Sequence, residues 1–435
     1  MKKIGLGILA VSLLASCSVQ QKVQRTVSAG EVQRILSTLA SDEMQGRAAF
    51  TPGIDKAAGF IESEFRRIGL QPLDGEEGYR QSFSVTRIRP VSQAAEINGA
   101  AVDPSDLMIV SDLASITWNS PSDAEVIRIG PGQQFFGRYR EITAMQKPVL
   151  VLVDRQYADA FARLRSNVQR GRIVQDASKN KTAAVFVLGG QEPSALKVTF
   201  TNGVEQAPLF NVAGMLKGRS KPEEVVVFSA HYDHLGLVKP LEGDSIANGA
   251  DDDASGTTAV IELARHFKKV GNNERTIIFV AFTAEEIGGY GSRYFSSKLD
   301  PAKVVAMFNI EMIGKESKFG TNAAFITGYE RSDFGRILQK NLEGTAFTFH
   351  PDPYPEQQLF YRSDNATLAA LGVPAHTIST DQIDVDKFYH TVNDELETLD
   401  VQNITNTIKA IALSARSIIA GTDTPSRIPP LEGRR

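Results

Sequence analysis

Three short apolar runs alternate with helical segments in the C-terminal half of this 435-residue chain. The runs are EEVVVFSA at 223–230, ERTIIFVAF at 274–282 and AKVVAMFNIE at 302–311. Nearly continuous runs of Val, Ile and Phe are typical of strands whose two faces are both covered by helices. Because helices are predicted between the runs, at 254–270 and 291–297, the pattern predicts an α/β fold with an αβα layer arrangement.

The rest of the chain has two different textures. Residues 29–73 show helical periodicity, and Gly69 is a predicted helix stop. Residues 83–190 consist of short apolar runs separated by Pro, Gly and Asp clusters, with one helix predicted over 161–169. We therefore predict one domain built from 29–83 and 207–424, interrupted by a β-rich domain inserted at 84–206.

The first seventeen residues have the composition of an export signal. Lys2 and Lys3 precede an apolar stretch that ends at Leu14. The following Ala-Ser-Cys resembles a bacterial lipobox, in which cleavage leaves the Cys at the new N-terminus carrying lipid. Residues 1–17 are therefore predicted to be a lipoprotein signal region with Cys17 as the lipidated residue, and 18–28 a polar tether. Ser18 is not acidic, which favours anchoring in the outer membrane. Cys17 is the only cysteine, so disulfides are excluded.

The charge balance excludes one class of partner. The chain has 47 basic and 51 acidic residues, a net charge of −4, and no long Lys/Arg run. Nucleic-acid-binding domains concentrate positive charge on one face. We therefore expect no nucleic-acid partner.

Polar residues follow each of the three predicted strands. His231 and Asp233 follow the first strand, Glu285 and Glu286 the second, and Glu311 the third. Ligands collect at the carboxyl ends of parallel strands. The loop after the first strand also contains three consecutive aspartates, Asp251 to Asp253, whose joint ionisation requires a cation or strong hydrogen-bond donors.

Three interpretations of the aspartates compete. A helix cap needs one of them, most simply Asp253. A calcium loop is suggested by an EF-hand-like spacing of Asp251, Asp253, Ser255, Gly256 and Glu262, but no helix is predicted before the loop. A transition-metal site would combine imidazole and carboxylate ligands, a mixture that zinc accepts. The candidate ligands for it are His231, Asp252, Glu286, Glu311 and His390.

Five motifs occur in order between Val225 and Leu399: SAHYDHLG, GADDDASG, TAEEIGGYGS, NIEM and YHTVNDELETLD. In this set the chain resembles the co-catalytic zinc exopeptidases, a family that includes bacterial leucine aminopeptidases and glutamate carboxypeptidase. The resemblance implies an αβα sandwich with a central, mostly parallel mixed sheet and two zinc ions. Many relatives carry a protease-associated domain where this chain has its insertion.

The resemblance also implies roles for individual residues. Asp252 would bridge two metals, with His231 and Glu311 completing one site, and Glu286 and His390 the other. Relatives usually have Asp at the position of Glu311, whose extra methylene moves the carboxylate by about a bond length.

Three further residues receive roles from the same resemblance and from their positions. Glu285 would be the general base, and Asp233 would orient the imidazole of His231. Tyr361 is a candidate for stabilising the tetrahedral intermediate. Two other histidines are interpreted without a site: His234 as a hydrogen-bonding loop residue and His266 as solvent-facing.

The function predicted on this basis is a metal-dependent aminopeptidase that acts on peptides in the cell envelope. A glutaminyl cyclase with a single zinc is the first alternative, although such enzymes usually line their pocket with tryptophan and the one tryptophan here, Trp118, lies in the insertion. A non-catalytic envelope binding protein on the same fold is the second alternative. The pair Glu285 and Glu286 beside two ligand histidines argues against it.

Overall fold

A computed structural model describes residues 22–174 and 181–431. Cys17 and the predicted export signal lie outside the described residues. The chain forms two compact units, one from the described residues up to Phe83 and from Leu209 onward, the other from Ser84–Pro208. The boundaries between the units fall within or next to two long strands.

Ten helices are labelled here in chain order. They are α1 Ala29–Leu39, α2 Pro52–Ile68, α3 Phe135–Thr143, α4 Ala158–Gln169, α5 Gly256–Val270, α6 Tyr290–Ser297, α7 Phe334–Asn341, α8 Asn365–Ala369, α9 Val401–Ser414 and α10 Arg416–Ile419.

Seventeen strands are labelled in the same way. They are β1 Arg80–Ile97, β2 Ala100–Ala101, β3 Leu107–Ser111, β4 Ser115–Trp118, β5 Glu125–Ile129, β6 Pro148–Val153, β7 Arg172–Val174, β8 Ala183–Leu188, β9 Leu196–Leu216, β10 Lys221–His231, β11 Gly236–Leu241, β12 Asp244–Ala247, β13 Arg275–Phe282, β14 Val304–Ile310, β15 Ala323–Ile326, β16 Thr348–Pro351 and β17 Ala375–Ser379.

The first unit is built on a mixed sheet with the order β16-β15-β17-β14-β10-β13-β9. The central pairs β17/β14, β14/β10 and β10/β13 are parallel, as is the edge pair β15/β16. The pairs β15/β17 and β13/β9 are antiparallel. The three apolar runs of the sequence are thus the adjacent strands β10, β13 and β14 at the centre of the sheet.

Both faces of this sheet are covered, which explains the unbroken apolar runs. In β10, Phe228 packs into the larger core together with residues of α1, α2, α5 and α9, whereas Val227 packs into a second core on the opposite face. In the first of these cores the ring of Phe228 stacks against Phe308 at 4.7 Å and Phe279 at 5.7 Å between centroids. Alternate residues of each strand therefore stabilise opposite faces. The predicted αβα sandwich is confirmed.

The second unit contains a four-stranded sheet with the order β3-β8-β6-β5. The helix predicted over 161–169 is the C-terminal part of α4. Helix α3, with the sequence FFGRYREIT, was not predicted; Phe135 and Ile142 are its two buried residues. The relation of this unit to a protease-associated domain stays a prediction.

The described end of the predicted tether differs from expectation. Residues 22–26 are helical, and Val23 and Val27 are buried in the larger core. Two valines four residues apart can cover a core from one turn of helix. The chain from residue 22 onward is therefore part of the domain. Among the described residues, no helix is both long enough and apolar enough to span a bilayer.

His266 is not solvent-facing, as its charged sequence neighbours suggested, but 4% exposed. Its Nδ1 lies 2.6 Å from the hydroxyl oxygen of Thr26, a contact made possible by the ordered segment before α1. Burial lowers the pKa of His266 to about 4, with smaller contributions from Lys22 and Lys269. The folded chain therefore holds this imidazole in its neutral form at neutral pH.

A pH-dependent stability follows from His266. The unfolded chain binds a proton at this residue below about pH 6.5, whereas the folded chain binds it only near pH 4. The stabilisation from the neutral imidazole is therefore complete above about pH 6.5 and is lost as the pH falls to about 4, an effect of roughly 3 kcal/mol at most. Between pH 7 and pH 4.5, the free energy of unfolding of wild type should fall more than that of His266→Leu. The free energies are measured by urea unfolding at each pH. An equal fall in wild type and His266→Leu would contradict the assignment.

Candidate active site

The carboxyl ends of β10, β13 and β14 meet at one edge of the sheet, because these strands are parallel neighbours. His231 is the last residue of β10. Glu285 and Glu286 follow β13 after two residues, and Glu311 follows β14 directly. Polar groups predicted from three separate motifs are thereby brought to one place.

The triple aspartate forms the turn Ala250–Ser255 that leads into α5. Asp253 accepts hydrogen bonds from the backbone N–H groups of Gly256, His231 and Met312. It therefore caps α5 and joins the ends of β10 and β14. Asp251 accepts a 2.7 Å hydrogen bond from the Gly314 N–H.

The calcium-loop interpretation is wrong for this turn. Glu262, the expected twelfth ligand, lies inside α5 and pairs with Arg265 at 2.9 Å. The loop is preceded by strand β12, whereas an EF-hand needs a helix there.

Two residues from distant parts of the chain hold the aspartate turn in place. The carboxylate of Asp394 accepts the N–H groups of Asp251 and Asp252, each at 3.0 Å. The fully buried guanidinium of Arg47 donates to the carbonyl oxygens of Tyr232, at 2.8 Å, and Gly249, at 2.9 Å. Arg47 therefore connects the loop after His231 to the turn that carries Asp252.

Backbone conformation at the site is also unusual. Arg47, Ala284, Met312 and His390 all have positive φ angles, between 52° and 60°. A residue with a Cβ adopts this region at a cost, and such residues concentrate at functional sites. His390 is itself a metal-ligand candidate, Met312 directly follows the candidate Glu311, and Ala284 directly precedes Glu285.

Asp252 lies at the centre of the predicted ligands. Its Oδ1 is 3.1 Å from Nε2 of His231, and its Oδ2 is 3.2 Å from Nε2 of His390. Nε2 of His390 is also 3.2 Å from Oε2 of Glu286. Two ligands of a tetrahedral zinc with bonds of about 2.0–2.1 Å lie about 3.3 Å apart. All three distances match that spacing.

These side chains form two groups that share Asp252. One contains His231, Asp252 and Glu311, and the other contains Asp252 with Glu286 and His234. Nε2 of His231 is buried without a hydrogen-bond partner among the described residues. An imidazole nitrogen in that position, facing carboxylates at the spacing of co-ligands, fits a metal ion.

The charges at the site also favour cations. Burial holds the pKa of Glu285 well above its usual range. His231 acts in the opposite direction, and among the neighbouring carboxylates Glu311 contributes most to the increase. Burial raises the pKa of Glu311 to about 7, with His231 acting in the opposite direction. Contacts with Asp252 and Glu286 raise the pKa of His390 to about 10. The carboxylates repel one another, and the imidazole donor set makes zinc a suitable cation.

Asp233 contacts different groups from those expected. Its carboxylate accepts the N–H of Glu285 at 3.1 Å and that of Glu286 at 3.4 Å. Nδ1 of His231 lies 3.1 Å from the carbonyl oxygen of Asp233 but 3.8 Å from its Oδ1. The backbone of Asp233 therefore orients the imidazole, whereas its side chain holds the turn that carries both glutamates.

The contacts of Tyr361 are with an aromatic ring and a guanidinium group, and its role toward the tetrahedral intermediate stays a prediction. Its ring contacts Phe360 at 4.6 Å and the guanidinium of Arg331 at 5.4 Å. The structure places another tyrosine at the site: the ring of Tyr389 stacks on His390 at 3.9 Å. Because Tyr389 directly precedes His390 in YHTVND, the motif itself could have indicated it.

A third acidic group lies beside the site, and a lysine side chain pairs with it. Asp251, Asp381 and Asp386 come together. The ammonium of Lys315 is 2.6 Å from Asp386 and 3.5 Å from Asp251. This ion-pair network connects the aspartate turn to the loop that carries His390.

Comparison with known proteins agrees with this geometry. Residues 211–415 match the model of peptidase family M28. That range contains every predicted metal ligand and Glu285. This segment of the chain is similar to peptidase family M28. The candidate metal ligands and Glu285 thus all lie in the segment that matches the family.

Curated relatives match this chain over part of their length. Leucine aminopeptidase 1 of Penicillium rubens is 29% identical over 51% of this chain and 59% of its own length. Aminopeptidase YwaD of Bacillus subtilis is 25% identical over 49% of this chain and 45% of its own. A probable zinc metalloprotease of Leptosphaeria maculans is 33% identical over 31% of this chain and 30% of its own. The chain thus spans about half the length of these relatives, or less.

Solved structures share the fold. An aminopeptidase from Aneurinibacillus sp. strain AM-1 aligns with a TM-score of 0.55 and 19% identity, over 96% of this chain and 98% of its own. A zinc aminopeptidase from Bacillus subtilis aligns with a TM-score of 0.55 and 19% identity, over 90% and 95%. At these identities the alignments support the fold alone.

Proposed function

We propose that this protein is a dinuclear zinc aminopeptidase of the cell envelope. The observation that carries the proposal is the position of Asp252, whose two oxygens lie 3.1 and 3.2 Å from the imidazoles of His231 and His390, the ligands predicted for two different metals. A carboxylate with one oxygen directed at each group can bridge two metals about 3.5–4 Å apart. The aminopeptidase names of the curated relatives support the reaction class.

The metal ligands divide as follows. His231 and Glu311 would hold one zinc, Glu286 and His390 would hold the other, and Asp252 would be shared between them. When bound, zinc supplies a Lewis acid that lowers the pKa of water and polarises a carbonyl group. The names of zinc-dependent relatives support this choice of metal.

Glu285 performs the proton transfers. Its backbone N–H donates to the carboxylate of Asp233, and the charges of His231 and Glu311 act on the pKa of its carboxyl group in opposite directions. Because Glu285 is not required as a ligand, its carboxylate can take a proton from the attacking water and deliver it to the leaving amine. The free N-terminal amine of the substrate is attracted by the surplus carboxylates of the site.

A cavity beside Glu311 is suited to the substrate's first side chain. Its apolar lining comes from Met312, Phe325, Leu359 and Ile383. Arg362 and Asp381 also line it, but the carboxylate oxygens of Asp381 are buried from solvent. A mostly apolar pocket stabilises an apolar group through burial. We therefore expect Leu or Met to be preferred over Asp at the N-terminus.

A peptide digest tests the proposed reaction. The soluble form beginning at Ser18, loaded with zinc, is incubated with peptides that bear Leu, Met, Arg, Asp or Gln at the N-terminus, and the masses are followed. Loss of one N-terminal residue, fastest for Leu or Met, is the expected result. Loss of ammonia from the Gln peptide alone would indicate a cyclase instead, and metal binding without any peptide change would favour a binding protein.

The envelope location depends on Cys17. The motif Leu-Ala-Ser-Cys supports a lipid anchor. In membrane fractionation, the full-length chain should sediment with the outer membrane, whereas Cys17→Ser should not be lipidated. Equal distribution of both forms, with no lipid mass on the wild-type N-terminus, would contradict the anchor.

A further inference from the structure

His234 occupies a defined position beside Glu286. Its side chain is fully buried, and its Nδ1 lies 2.7 Å from Oε1 of Glu286. The other oxygen of Glu286, Oε2, lies 3.2 Å from Nε2 of His390. The two oxygens of one carboxylate are thus divided between two imidazoles.

The two distances have different physical meanings. Co-ligands of a tetrahedral zinc lie about 3.3 Å apart, which fits Glu286 and His390. A separation of 2.7 Å between His234 and Glu286 is too short for co-ligands and is typical of a hydrogen bond to a charged acceptor. Nδ1 of His234 is 3.8 Å from Oδ2 of Asp252, beyond hydrogen-bond distance. His234 therefore contacts a ligand rather than the metal position.

The proton of the imidazole can be assigned by the surroundings. Nε2 of His234 is buried and has no hydrogen-bond partner among the described residues. An ionised carboxylate can only accept hydrogen bonds, so the 2.7 Å contact with Oε1 of Glu286 requires a proton on Nδ1. The ring therefore donates its Nδ1–H to Glu286.

The ring is fixed by close packing against the aspartate turn. Gly249 has φ 55°, and a Cβ on it would lie 2.5 Å from Cγ of His234. The backbone N–H of His234 donates to the carbonyl oxygen of Arg47 at 3.3 Å. Only glycine at position 249 leaves room for the ring, so the imidazole has little freedom to move.

We propose that His234 is a positioning residue for the metal site of Glu286 and His390. Its Nδ1–H holds Oε1 of Glu286, so that Oε2 remains directed at the metal next to His390. The inference rests on the proposed dinuclear site. Hydrogen-bonding partners of metal ligands typically contribute 10–100-fold to metal affinity.

Two substitutions separate the hydrogen bond from the space that the ring fills. His234→Leu removes the donor. His234→Asn keeps one, because its Nδ2 is attached at the same position along the side chain as Nδ1 of histidine. His266→Leu is the matched control, since it removes a buried imidazole outside the candidate active site. His390→Ala identifies which of the two measured affinities belongs to the Glu286 site.

Zinc affinities are measured by chelator competition, without substrate. We expect His234→Leu to lower the zinc affinity of one site by about 10–100-fold and to leave the affinity of the other site unchanged. The affected site should be the one that His390→Ala also weakens. His234→Asn should stay within a few-fold of wild type. Unchanged affinity in His234→Leu, or equal losses in the Leu and Asn variants, would overturn the proposal. A wild-type protein that binds only one zinc would instead refute the dinuclear site itself.

Discussion

Glu285→Gln is expected to lower kcat by about 10²–10⁴-fold while the protein keeps its full zinc content. Glutamine has nearly the same shape but cannot accept a proton from the attacking water. The backbone contact that places residue 285, from its N–H to Asp233, does not involve the side chain. Turnover of a Leu peptide should therefore fall, whereas the zinc content measured by mass spectrometry should stay the same.

The same substitution at the surface provides the control. Glu330 has a 75% exposed side chain, and Glu330→Gln should leave both turnover and zinc content unchanged. If Glu285→Gln kept more than about a tenth of the wild-type rate, well above the range for a general base, Glu285 would not be the base. If it lost zinc as well, its role as a non-ligand would be wrong.

Asp252→Asn is expected to have the second large effect, the loss of both zinc ions. Asp252 belongs to both ligand groups, and an amide offers one oxygen without charge where the site needs two. The buried imidazoles of His231 and His390 would then lose their shared anionic partner. Zinc content after dialysis should fall from two ions to fewer than one, and turnover should fall with it.

The adjacent residue gives the contrast. Asp253 accepts three backbone N–H groups and contacts no other predicted ligand's side chain at the spacing of co-ligands. Asp253→Asn should therefore lower the free energy of unfolding by about 1–3 kcal/mol, because replacing one accepting oxygen by NH2 leaves a buried N–H without its acceptor, and it should leave two zinc ions bound. If Asp253→Asn lost zinc while Asp252→Asn retained it, the roles of the two aspartates would be reversed.

The central sheet could be predicted from sequence because its strands are buried on both faces. In the core, the ring of Phe228 stacks on both Phe279 and Phe308, and each of the three residues comes from a different run. Such runs are unbroken in the sequence, and the residues that follow them must meet at one edge. Local patterns were therefore sufficient to assemble His231, Glu286 and Glu311.

Other contacts could not be predicted because they join residues far apart in the chain. Arg47 donates to the carbonyl oxygens of Tyr232 and Gly249, which lie 185 and 202 positions further along the chain. His234 meets Glu286 across 52 positions. A single histidine in a loop carries no periodicity, so its role depends on three-dimensional contacts alone.

Tyr361 shows how little sequence position says about side-chain direction. Its place in FYRSDN suggested the substrate pocket, and Ser363 does line the cavity. The short turn Leu359–Tyr361 directs the ring of Tyr361 toward Phe360 and Arg331 instead. Neighbouring residues in a turn point in different directions, so proximity in sequence did not determine which side chain faces the site.

The most direct test of the central claim is a crystal structure of the zinc-loaded protein with anomalous data collected at the zinc edge. We predict two peaks about 3.5–4 Å apart, one beside each oxygen of Asp252, with Glu311 at one and Glu286 and His390 at the other. A single peak at full occupancy, with Asp252 bound through one oxygen, would contradict the dinuclear site.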